Sequence, residues 1–183
     1  QSPKLYKDNG FLEKEEAARL IAHLEEDPPI TAVVCSMEKK KETKYAPLLF
    51  NLAELQNTCS RFFKISPDQT LGIVQELYEK KLVTYPRTDA RVLSTAAAKE
   101  IHKNISGLRA ISGVRQFVDV ILERESWKKI AGTRYTNDKQ ITDHYAIIPT
   151  GQGIGALKSL NATAIKVYET IVRRFLAVFY PPA

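Results

Sequence analysis

The chain has 183 residues, 44% of them hydrophobic, enough to bury a core in one domain with a small appendage. Its 27 lysines and arginines against 21 aspartates and glutamates leave a net charge of +6, which favours an anionic partner, nucleic acid among the candidates. The longest apolar runs, TAVVC and LAVFY, fall far short of the ~20 residues of a membrane-spanning helix. The two cysteines, Cys35 and Cys59, fit neither a zinc ribbon nor a disulfide framework, so a reducing cytoplasmic setting is expected.

Residues 12–26, LEKEEAARLIAHLEE, set Leu12, Ala17, Leu20, Ile21 and Leu24 on one stripe and predict an amphipathic helix stopped by Pro28 and Pro29. The β-rich run ITAVVCSM over 30–37, the charged turn EKKKETK and a second extended piece, YAPLLF, read as a hairpin. At Asn51 the pattern becomes helical. Asn51 with Glu54 has capping-box spacing, and Leu52, Leu55, Cys59 and Phe62 continue the stripe. Ser66, Pro67 and Gln69 supply an N-cap, a first-turn proline and an N3 partner for the next helix, which runs through Leu71, Val74, Leu77 and Tyr78 to Lys81.

Further on, Ser94 caps a helix over TAAAKEIHK, ISGLRAISG reads as a loop, and Val114, Phe117, Val118, Ile121 and Leu122 mark another helix. Residues 126–140 are polar and irregular. ITDHYAIIPTG is short and extended, ended by Pro149 and by glycines 151, 153 and 155. The last helix carries Ile165, Tyr168, Val172, Phe175, Leu176 and Phe179 at helical spacing. The fold class is therefore mostly α with a small β part: a helix-and-hairpin piece over 1–43, then a helical domain over 44–183. The opening QSPKLY has no initiator methionine and YPPA follows directly on a helix pattern, so both ends read as cuts inside a longer protein.

The stretch LVTYPRTDARVL, residues 82–93, carries the chemistry. Pro86 pushes Tyr85 toward extended geometry, so its side chain sits on a stiff segment and can be aimed. A phenol, with a reference pKa of ~10, attacks poorly at neutral pH unless its anion is stabilised or a base takes the proton. The forked donors of Arg87 suit two oxygens of a phosphodiester and can offset charge gathering on phosphorus. Residues two apart in an extended segment share a face, which places Tyr85 and Arg87 toward one cleft; Asp89 follows them or pairs with Arg91. Spacing alone leaves the alternative of a packed aromatic ending a strand. His144 is likewise a surface or core histidine, or a donor to a phosphate oxygen. Strand alternation turns Tyr145 away from it.

KKLVTYPRTDARVLS resembles the active-site stretch of type IA DNA topoisomerases, and DHYAIIPT resembles a second motif of that family downstream. LFNLAELQ, TLGIVQELYEKKLVTYPRTD and VYETIVRRFLAVF are similar to family segments in the same order. The proline after Tyr85 and the run AIIPT favour the topoisomerase III branch. The resemblance implies that Tyr85 attacks a DNA phosphodiester and keeps the 5' phosphate as a phosphotyrosine, while Arg87 positions the scissile phosphate. His144 would contact the DNA backbone near the cleavage site, with Lys81, Arg91 and Thr88 as further DNA-binding residues and Asp89 and Gln75 in support. Tyr145 departs from the pattern, since topoisomerase III sequences often carry a second histidine there.

The resemblance also implies a helix-turn-helix-like, tyrosine-bearing gate domain over 44–183, preceded by the leading part of a hinge domain, a helix plus hairpin, over 1–43. Magnesium would be bound by an acidic Toprim domain; no D-x-D pattern occurs in these residues, which hold no metal site of their own. The implied partners are single-stranded DNA, the other domains of the same protein and a helicase, with no membrane, in a cytoplasmic, nucleoid-associated setting. Strand passage would need no ATP, and the piece by itself would be inactive. Two rivals remain at this point: a tyrosine recombinase, whose tyrosine follows its arginine and histidine motifs rather than preceding them, and a non-catalytic helical DNA-binding module in which Lys80, Lys81, Arg87 and Arg91 contact phosphates.

Overall fold

The computed structural model describes residues 43–183, together with the backbone of two short strands, Leu5–Tyr6 (β1) and Gly10–Phe11 (β2). β1 and β2 pair antiparallel, Leu5 opposite Phe11 and Tyr6 opposite Gly10. The chain divides into two compact units, residues 1–42 and 43–183. The helix expected over 12–26 and the strand expected over 30–37 lie outside the described residues. Among those described, no helix is long and apolar enough to cross a membrane.

The second unit is mostly helical: α1 is Leu52–Phe63, α2 Pro67–Glu79, α3 Thr95–Gly107, α4 Arg115–Arg124 and α5 Ala162–Ala177. Each start signal in the sequence is used. The Asn51 side chain accepts the Glu54 N–H at 2.8 Å, while the Glu54 carboxylate turns toward Arg91 and Arg174 instead of closing the box. At α2 both halves of the capping box form: Ser66 Oγ accepts the Gln69 N–H at 3.1 Å and Gln69 Oε1 accepts the Ser66 N–H at 2.9 Å. Asn161 caps α5 in the same way, accepting the Ala164 N–H at 2.8 Å. A three-residue turn through Lys64, in left-handed conformation at φ 56°, joins α1 to α2.

The core is built where α1, α2 and α5 pack together and where α3 meets α4 and the 3-10 segment Ser126–Gly132. α5 contributes most, burying Val167, Tyr168, Ile171, Val172, Phe175 and Leu176. Burial holds the Tyr168 phenol well above the usual tyrosine range. The free Cys59 of α1 is also buried, and burial pushes its thiol up to about 11 despite a hydrogen bond with Thr70.

Several expectations are corrected. Phe62 is 66% exposed, and Phe63 packs on the core in its place, because a four-residue step from Cys59 stays on the buried face of α1 better than a three-residue one. Phe117 of α4 is also exposed, leaving Val118 and Ile121 to fill the core. The stretch 105–113 is no simple loop: α3 runs on to Gly107 and the 3-10 turn Leu108–Ala110 follows. The polar stretch 126–140 is pinned by buried Ile130 and Tyr135, the Tyr135 hydroxyl donating to the Ala46 carbonyl at 2.6 Å.

Residues 45–49 lie in no regular element, and the described partners of this piece are distant in sequence: the Leu49 N–H donates to the Arg91 carbonyl and Phe50 bridges Ile147. Arg174 secures this piece from α5. Its guanidinium donates to the Leu48 carbonyl at 3.0 Å and lies over the Phe50 ring, 4.1 Å from the centroid.

Candidate active site

Tyr85 is reached through the end of α2. That end closes as a Schellman motif: Lys81 takes the left-handed conformation at φ 63°, its N–H donates to the Tyr78 carbonyl at 2.8 Å, and the Leu82 N–H donates to the Leu77 carbonyl at 2.9 Å. A lysine in the position where glycine is usual carries local strain, and it forces the chain off the helix axis toward Tyr85. The loop after Pro149 braces this corner. Thr150 Oγ1 donates to the Lys81 carbonyl at 2.6 Å, and Gly153, at φ 71°, lies so close that a Cβ there would meet the Lys80 carbonyl.

Two threonines tie the Tyr85 segment to the His144 segment. Thr84 Oγ1 donates to the Ala146 carbonyl and accepts the Ile148 N–H, both at 3.0 Å. Thr88 Oγ1 donates to the His144 carbonyl and accepts the Ala90 N–H, both at 3.1 Å. The backbone pairs here as well, the Thr84 N–H donating to the Ile148 carbonyl and the Thr150 N–H to the Leu82 carbonyl, both at 3.0 Å, around an isolated bridge at Val83–Pro149. The extended stretch expected over 141–151 thus forms no continuous strand but a strip held by isolated backbone bridges together with the threonine side chains. Tyr145 therefore does not obey strand alternation: it lines the same pocket as Tyr85 and His144.

That pocket has a volume of about 490 Å³ and is open to solvent. Its walls include Tyr78, Lys81, Tyr85, His144, Tyr145 and Gln152. The Tyr85 ring lies 4.3 Å from the His144 ring, tilted by 36°, and meets the Tyr78 ring edge to face at 5.5 Å and 84°. Tyr85 is thus half-exposed on a pocket wall and is not a core aromatic, whereas His144 is exposed beside it. A larger apolar groove of about 640 Å³ runs along α5 past Phe117 and Tyr180 and shares no residue with this pocket.

The other candidates are placed as follows. Arg87 is exposed and stands outside the pocket walls. The Thr88 N–H donates back to the Pro86 carbonyl at 3.0 Å, closing a three-residue turn on Arg87, so the two-residue repeat that put Tyr85 and Arg87 on one face is broken. Arg91 does not pair with Asp89: its guanidinium donates to the Leu49 carbonyl at 3.1 Å and the Leu48 carbonyl at 3.3 Å and lies 4.0 Å from Glu54. Asp89 is exposed, and its carbonyl accepts from Asn51 at 3.1 Å.

Thr88 is buried with its hydroxyl turned inward, and Gln75 lies on α2, its Nε2 3.5 Å from Glu79 and its Oε1 buried without a partner. Lys81 is exposed on the pocket rim. Tyr78 carried no expectation beyond helix packing; its contact with Tyr85 depends on the turn at Lys81, which no local pattern announces. Among the described residues no group of three or more His, Cys, Asp or Glu could hold a metal ion.

Comparison with known proteins identifies the family of the chain. A family model described as DNA topoisomerase matches residues 2–183. DNA topoisomerase 3 of Bacillus subtilis is 40% identical over 151 residues, and that of Bacillus licheniformis 39% over 152. Each alignment covers 82% of this chain and 20% of the relative, so the chain spans about a fifth of the length of the curated relatives it matches. Full-length topoisomerase I from Thermotoga maritima shares the fold, with a TM-score of 0.52 at 23% identity over 97% of this chain and 27% of that one. With the family model spanning residues 2–183 and relatives at about 40% identity over 82% of its length, the chain belongs to the type IA DNA topoisomerase family.

Proposed function

We propose that residues 44–183 are the tyrosine-bearing gate domain of a topoisomerase III-like enzyme, with residues 1–43 the adjoining part of its hinge domain. Tyr85 Oη attacks a phosphodiester of single-stranded DNA: the O–P bond to tyrosine forms, the bond from phosphorus to the 3' oxygen breaks, the phenol proton leaves to solvent and the freed 3' oxygen takes one up. The product is a 5' phosphotyrosine and a 3' hydroxyl. The reverse step reseals the strand after another has passed. Because the phosphotyrosine keeps the energy of the diester, no ATP is needed.

The observation that carries this reading is the setting of Tyr85: half-exposed on an open pocket, against His144 and Tyr78, and held by two threonine hydroxyls. His144 and Lys81 beside it, with Arg87 on the outer face of the turn, supply donors for the backbone phosphates on either side of the cut. The magnesium that the family resemblance implies would be held by a Toprim domain outside these residues. The partners are single-stranded DNA, the remaining domains and a helicase that exposes single strands, in a cytoplasmic, nucleoid-associated setting.

The test is an adduct assay in the full-length natural protein, mixed with single-stranded DNA and magnesium and denatured with detergent. A protein-linked 5' phosphate is expected, and Tyr85→Phe, which keeps the ring and removes only the attacking oxygen, abolishes it at nearly unchanged DNA affinity. An adduct that survives Tyr85→Phe sinks the assignment. The isolated 183-residue chain is expected neither to cleave nor to relax supercoiled plasmid.

A further inference from the structure

The geometry points to Tyr78 as a positioning residue for the nucleophile, an inference that rests on the reading of Tyr85 above. A phenol on a fixed backbone is aimed by two torsions, and the Tyr85 backbone is already held by Thr84 on one side and buried Pro86 on the other. Its remaining freedom is that of the ring. Two neighbouring rings limit it: His144, tilted against it at 4.3 Å, and Tyr78, meeting it edge to face at 5.5 Å.

An edge-to-face contact sets the electropositive rim of one ring against the electron-rich face of the other, so it favours one mutual orientation over a range of others. In-line attack on phosphorus is sensitive to that orientation, because the reacting atoms must come within about 3–3.5 Å with the leaving oxygen opposite.

Tyr78 is suited to the task because it is itself fixed. It sits in the last turn of α2, next to fully buried Leu77, and its carbonyl receives the Lys81 N–H that closes the helix. One structural unit therefore sets both the wall of the pocket and the direction in which the chain enters Tyr85. A tyrosine kept only for packing would be covered, yet Tyr78 stays 39% exposed and borders the pocket. It is the ring, not the phenolic oxygen, that touches Tyr85, which makes phenylalanine the conservative replacement.

The experiment measures single-turnover cleavage and single-strand affinity side by side in the full-length natural protein. Tyr78→Leu is expected to slow cleavage roughly tenfold, the rate equivalent of losing one aromatic pair, with affinity within about twofold of the parent. Tyr78→Phe is expected to restore both. Tyr78→Met keeps bulk without a ring and replaces the leucine variant if that one melts early. Unchanged cleavage in the ring-less variants overturns the inference. So does a loss of affinity that matches the loss of rate, which makes Tyr78 a DNA contact, or a loss in Tyr78→Phe equal to that in Tyr78→Leu, which assigns the effect to the hydroxyl. Tyr85→Phe run alongside separates the two levels: an adduct persisting there removes the nucleophile itself, whereas its disappearance with Tyr78→Leu at full speed removes only the role of Tyr78.

Discussion

Thr84 and Ile148 are bonded in both directions: the Thr84 N–H donates to the Ile148 carbonyl at 3.0 Å, and the Ile148 N–H donates to Thr84 Oγ1 at the same distance. Because Oγ1 also donates to the Ala146 carbonyl, Thr84→Val leaves a buried amide and a buried carbonyl without that partner. The expected loss is ~1–3 kcal/mol in urea denaturation of the 183-residue chain, most of it recovered in Thr84→Ser. A valine variant as stable as the parent, or a serine variant as weak as the valine one, contradicts this account.

Arg87 carries a prediction that needs no catalysis. If it meets a backbone phosphate, Arg87→Ala makes the slope of log affinity against log salt for a single-stranded oligonucleotide shallower by about 0.7. Fluorescence anisotropy across a salt series reads this directly. In the full-length protein Arg87→Lys keeps the slope but cleaves more slowly, since the ammonium lacks the two-pronged geometry. An alanine variant with the parental slope turns Arg87 away from the DNA.

Two helical glycines separate close approach from mere absence of a side chain. A Cβ on Gly107 would overlap the backbone of Gly151, whereas nothing lies within 4 Å of one built on Gly72. Gly107→Ala is expected to destabilise by at least ~2 kcal/mol, since neither backbone can yield. Gly72→Ala in the interior of α2 stabilises by ~0.5–1 kcal/mol. Opposite signs in the two denaturation curves are the outcome to look for.

Asp138 closes the start of α3, accepting the Thr95 N–H at 2.8 Å and the Thr95 hydroxyl at 2.6 Å. These bonds favour the charged form, the hydroxyl one most, and hold the carboxyl below its ordinary value. A lowered folded-state pKa gives stability that is present above the unfolded value, about 3.9, and lost as pH falls through the folded one. The gap in melting temperature between the parent and Asp138→Asn is therefore expected at pH 7 and narrows below about pH 4. A gap that is constant across that window shows that the charge plays no part.

Helices were the most readable part of the molecule. Ser66, Pro67 and Gln69 state the start of α2 locally, and the capping box forms as written. The errors fall where structure is decided at long range. Phe62 and Phe63 differ by one position on a helix, and only the packing of α1 chooses between them. Tyr145 looked turned away from His144 because DHYAII has the composition of a strand, but the segment is tied down through Thr84 and Thr88, some sixty residues earlier in the chain. That Tyr85 and His144 share a pocket followed from resemblance to a family; their ring-to-ring contact, and the edge of Tyr78 against Tyr85, have no signature in a single sequence.

The threonine bridges have a mechanical consequence. Thr84 and Thr88 flank Tyr85 closely in sequence, and both fasten to the short strip from His144 to Ile148. Such a joint resists shear between the two strips but not their travel together. Whatever displaces the Tyr85 segment therefore carries His144 with it, and the pocket wall they share keeps its shape.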